Sequence, residues 1–88
     1  MPETFRLGRR GQFSHGDLTL GIVRTGTDPE DPYARLNIVD RGSDYGEIRD
    51  VRVGDEIRIG VHVLVFTEVV PGTRDGHIAF TLDREPQQ

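Results

Sequence analysis

The chain has 88 residues, 34% of them apolar, with 15 acidic and 11 basic side chains and a net charge of −4. The length fits one small domain, residues 1–88, and leaves no room for a second. The absence of Cys excludes disulfides and thiolate zinc sites, and the even spread of acids argues against a basic face for nucleic-acid backbones.

Several further exclusions follow from the same composition. No apolar run approaches the ~20 residues of a membrane helix. The opening Met1–Arg6 has no hydrophobic signal core, so a cytoplasmic location is expected. A domain of this size buries roughly 60–68% of its unfolded surface. The balance of burial against chain entropy is then close to zero, so a homo-oligomer, in the simplest case a homodimer, is expected. All 11 basic residues are Arg, which fits a GC-rich genome better than a need for Arg forks.

In chain order, the first apolar segment is 4–8, followed by 11–15 and by 17–25 after the Ser14-His15-Gly16-Asp17 turn signal. The segment Thr25–Pro32 holds two prolines and a run of acids and reads as a loop. Segment 33–40 alternates, with Ala34, Leu36 and Ile38 on one side and Arg35 and Asn37 on the other. Arg41–Gly46 reads as a turn, then strands at 47–53, 56–60 and 61–70. The Asp75-Gly76 pair signals a hairpin before the closing strand at 77–84, and 85–88 is expected to fray. The longest stretch free of Gly and Pro is Val61–Val70, ten residues dominated by β-branched side chains. Helices of normal length are therefore excluded. The expected fold is all-β, an antiparallel sandwich or small barrel of six to eight strands.

A repeat is visible in this pattern. Shifting the chain by 46 positions aligns Phe5–Gly26 with Val51–Gly72 and gives five identities, Leu18/Leu64 and Gly26/Gly72 among them. After a two-residue adjustment, Ala34, Leu36 and Ile38 match Ile78, Phe80 and Leu82. Segments 5–40 and 51–84 then read as two similar β-meanders able to pack face to face.

Chemistry-bearing motifs are sparse. His15, His62 and His77 stand at no short ligand spacing, so neither a metal nor another cofactor is expected. His15 and His77, beside glycines, read as solvated, and His62 as a hydrogen-bonded residue at the core margin. Ser14 and Ser43 lie outside any Gly-x-Ser-x-Gly elbow. Catalytic residues are not expected. Arg6, Arg9 and Arg10 form the one basic cluster, flanked by Phe5 and Phe13, and the acidic remainder weighs against nucleic acid as a partner.

Two recognition features remain. Val61, Val63 and Val65 alternate into an apolar stripe, which reads either as the second face of a central strand or as an interface. Tyr33, Arg35, Tyr45 and His62 could instead line a ligand pocket. The segment Val53-Gly54-Asp55-Glu56-Ile57-Arg58-Ile59-Gly60, with Val63–Val69 and Ile78–Leu82, resembles small all-β domains of unknown function of the actinobacterial type. That resemblance implies an all-β fold and brings no activity with it. The leading expectation is a non-catalytic, self-associating or protein-binding domain that uses the valine stripe. The alternative is a small ligand-binding or catalytic barrel that uses the Tyr33, Arg35, Tyr45 and His62 pocket.

Overall fold

The computed structural model describes residues 3–9, 11–72 and 75–84. Arg10 of the basic cluster and the expected frayed segment 85–88 lie outside them. Eight strands are described: β1 (Glu3–Gly8), β2 (Gln12–His15), β3 (Leu18–Thr25), β4 (Ala34–Asp40), β5 (Tyr45–Val51), β6 (Glu56–Ile59), β7 (His62–Val70) and β8 (His77–Arg84). They form two four-stranded antiparallel sheets, ordered β1-β8-β7-β6 and β2-β3-β4-β5. The architecture is a small β-sandwich. No described helix is long and apolar enough to cross a membrane.

The alternation seen in the sequence decides which side chains meet between the sheets. In β4, Ala34, Leu36 and Ile38 are fully buried, whereas Asn37 is exposed. In the facing sheet Leu64, Phe66, Ile78 and Phe80 are fully buried and Leu82 nearly so. Phe66 and Phe80 oppose one another across β7 and β8 with ring centroids 6.0 Å apart. The Phe80 ring also meets Phe5 at 5.8 Å and, edge-on, Phe13 at 5.1 Å. Phe13 belongs to the other sheet, so this aromatic cluster ties the two layers together. Each such buried side chain contributes about 1.5–3 kcal/mol relative to exposure.

The two sheets are related by a single displacement along the chain. The β2–β3 pair Phe13/Leu20 and the β6–β7 pair Ile57/Leu64 differ by 44 positions. So do the bulges at Ile22/Arg24 in β3 and Phe66/Glu68 in β7. The sheet order β5-β4-β3-β2 becomes β1-β8-β7-β6 under the same displacement, with β1 taking the place of β5. Each half therefore builds a three-stranded meander and lends its first strand to the other half's sheet. The corner hydrogen bonds follow suit: the Gly11 amide donates to the Gly8 carbonyl, and the Asp55 amide to the Arg52 carbonyl, both at 3.0 Å.

The valine stripe needs correction. Val63 and Val65 alternate with the buried Leu64 and Phe66, so they occupy the outer face of their sheet and are half-buried. Val61 does not continue them, because it sits in the two-residue loop between β6 and β7. β7 is an interior strand of its sheet, yet no described element covers that outer face.

Candidate functional site

Each meander contains a hairpin closed by a two-residue loop beginning with glycine. Gly16 has φ 60° and Gly60 has φ 57°, the left-handed region that such hairpin turns require and glycine tolerates. The residue pairs that close the two hairpins are His15/Leu18 and Ile59/His62. Each pairs one imidazole with one aliphatic side chain, in opposite order. Leu18 and Ile59 are buried in the core, while His15 is exposed and His62 half-buried. The two imidazoles meet edge to face with centroids 6.0 Å apart. Phe13 stacks parallel to His15 at 6.5 Å.

These hairpins form one side of a cleft of about 590 Å3 at the end of the sandwich. Val61 and His62 line it from the β6–β7 hairpin, and His15 and Asp17 from the β2–β3 hairpin. Phe5 and Leu82, on the adjacent strands β1 and β8, supply apolar surface. The end of β4 contributes Asp40 and the turn after it Gly42 and Ser43, and Glu3 and Asp83 complete the charged lining. Asp40 is only 4% exposed. Its carboxylate accepts from the Gly42 amide at 3.1 Å and from the Ser43 hydroxyl at 2.8 Å. The first of these is an Asx turn, which folds the chain back two residues on. A Cβ on Gly60 would lie 3.0 Å from Asp40 Oδ2, and one on Gly42 would lie 3.1 Å from Asp17 Oδ2. Glycine at these positions lets both carboxylates approach the backbone.

The expected pocket residues do not come together. Only His62 lines the cleft. Tyr33 lies under the Arg52 guanidinium, 5.6 Å from the ring centroid, and its ring packs against Gly26 beyond the far end of β3. Arg35 pairs with Asp50 across β4 and β5, its Nε donating at 2.8 Å. That hydrogen bond, and then the charge, raises the Arg35 pKa and lowers that of Asp50. Arg52 pairs with Asp31 at 3.1 Å, and the bond raises its pKa as well. Tyr45 packs against the core margin, and its hydroxyl donates to Glu47. This bond, reinforced by partial burial, raises the phenol's pKa. Alternation placed Arg35 on the outer face of β4 from the start, on the side opposite the core-facing Leu36.

Of the other histidines, His15 enters the cleft, and His77 is held rather than solvated. Its Nε2 lies 2.7 Å from Glu68 Oε1, and its Nδ1 3.1 Å from the Asp75 carbonyl oxygen. Asp40 was not singled out from the sequence, although the Asp40-Arg41-Gly42-Ser43 spacing carries an Asx-turn signal. No group of three or more His, Asp or Glu side chains among the described residues is arranged to hold a metal.

Fold and cleft together define a small antiparallel β-sandwich with an acidic, partly aromatic pocket at one end. Comparison with family models, curated proteins and solved structures found no match.

Proposed function

We propose that this chain is a non-catalytic binding domain whose site is the cleft at the end of the sandwich. The observation that supports this is the cleft itself. Its volume of about 590 Å3 falls within the ~300–1,000 Å3 typical of small-molecule sites. Its walls combine apolar Phe5, Val61 and Leu82 with a few convergent polar groups. Ser43 is held by Asp40 rather than by an imidazole, which favours binding over nucleophilic chemistry. The test is an amide NMR titration against a fragment library. Saturable shifts confined to the two hairpins and residues 40–43 are expected, and should disappear in a Val61→Trp variant that fills the cleft. Shifts scattered over both sheets, or none, would overturn the assignment.

A second reading, self-association, is supported by Val63 and Val65 on the uncovered outer face of β7. On this reading the wild-type mass in solution is that of a dimer, and Val63→Glu gives a folded monomer. An unchanged mass in the variant removes that reading.

A further inference from the structure

We propose that the cleft selects a small organic cation, an ammonium group joined to an apolar body, in preference to anions or neutral molecules. This inference rests on the cleft being a binding site and adds the class of ligand. Among the side chains described, every charged group lining it is a carboxylate, from Glu3, Asp17, Asp40 and Asp83. No arginine lines it among the side chains described, which run to Asp83, and the chain has no lysine. A low-dielectric recess bearing one sign of charge concentrates ligands of the other sign.

The carboxylates are not equivalent. Asp40 is buried and its carboxylate is committed to the Gly42 amide and the Ser43 hydroxyl, so it holds the wall of the cleft rather than reaching for a ligand. Glu3 and Asp17 are exposed at the rim, where they can approach an ammonium directly. The apolar side of the cleft fits the same ligand. Phe5 offers an aromatic ring to a cation or to a flat apolar group, and the edge-to-face His15 and His62 rings extend that surface. A carboxylate ligand would meet like charge from Glu3 and Asp17.

The experiment is an amide NMR titration of the full chain with three molecules of nearly one shape: benzylammonium, benzyl alcohol and benzoate. Benzylammonium is expected to shift the Gly16, Ser43 and Gly60 amides saturably, with benzoate silent and benzyl alcohol weaker. The double variant Glu3→Gln/Asp17→Asn, checked for an unchanged fold by its spectrum, should bind benzylammonium roughly three- to tenfold more weakly. Raising the salt concentration should weaken the wild-type interaction in the same direction. If benzoate or benzyl alcohol shifts the same amides as well as the ammonium does, the cation preference is wrong and the cleft remains a binding site. Undiminished binding by the double variant also overturns it. If none of the three molecules shifts these amides, both the preference and the binding assignment fail.

Discussion

The imidazoles of His15 and His62 meet edge to face, 6.0 Å between centroids, although 46 residues of chain lie between them. They come from the closing pairs of two hairpins that occupy matching places in the two meanders. Where the halves carry the same residue type, as at Leu20 and Leu64, they build core. Where they differ, at 15 against 59 and 18 against 62, they leave one imidazole each at the sandwich end. The imidazole pair in the cleft is thus a product of the differences between two similar halves.

The two hairpin glycines separate strain from crowding. Gly16 and Gly60 share a left-handed φ, but a Cβ on Gly16 meets nothing within 4 Å, whereas one on Gly60 lies 3.0 Å from Asp40 Oδ2. Gly16→Ala should cost about 1–2 kcal/mol from the backbone alone. Gly60→Ala should cost more, since Asp40 must also move. Chemical denaturation of both variants measures the difference, and equal losses would mean that the Asp40 contact carries no weight.

Asp40 organises the turn that walls the cleft. Asp40→Ala removes the acceptor for the Gly42 amide and the Ser43 hydroxyl, and should destabilise the fold by about 1–3 kcal/mol. Asp40→Asn keeps an acceptor oxygen and should lose less. Thermal melts in which the two variants lose stability equally would show that the charge, not the hydrogen bonding, holds the turn.

Acid should weaken the Arg35–Asp50 pair. The Arg35 hydrogen bond lowers the Asp50 pKa in the folded state, so its stabilising contribution is present above the ordinary carboxylate value. It is lost as pH falls through the depressed folded value. Both groups are exposed, so the effect is small and screened by salt. Melting temperatures measured from neutral to acidic pH should fall less steeply in Arg35→Gln than in the wild type. Parallel curves would show that the pair contributes nothing to the pH dependence.

Alkali acts on Tyr45 with the opposite sign. Its hydroxyl donates to Glu47, and the bond raises the phenol's pKa above its unfolded value. That contribution is full below the unfolded value and is lost as pH rises through the raised folded one. In Glu47→Gln, phenolate absorbance should appear at lower pH than in the wild type. Coincident titrations would mean that the bond does not persist in solution.

Much of the fold was legible because a half-buried antiparallel strand writes its two faces into the sequence with period two. Ala34-Leu36-Ile38 and Ile78-Phe80-Leu82 each declared a core face, and both faces are buried. The repeat shows the limit of that signal. The sequence shift of 46 and the structural shift of 44 differ by an even number, so both keep every inward residue inward. Identities such as Gly26/Gly72 favoured the wrong one for β3 and β7, and only the hydrogen-bonded register separates them. The stripe failed at Val61 for a related reason: alternation does not mark where a two-residue loop interrupts it.

The sequence by itself determined that this chain is all-β, where its strands lie, and which side of each is apolar. These are local properties, set by β-branched residues, glycine turns and alternation. Tertiary structure decided that β1 and β5 exchange between halves, that Tyr33 and Arg35 lie away from His62, and that His15, His62 and Asp40 share a cleft. Such relations depend on which sheet edges meet across long stretches of chain, and period-two alternation carries no information about distant partners.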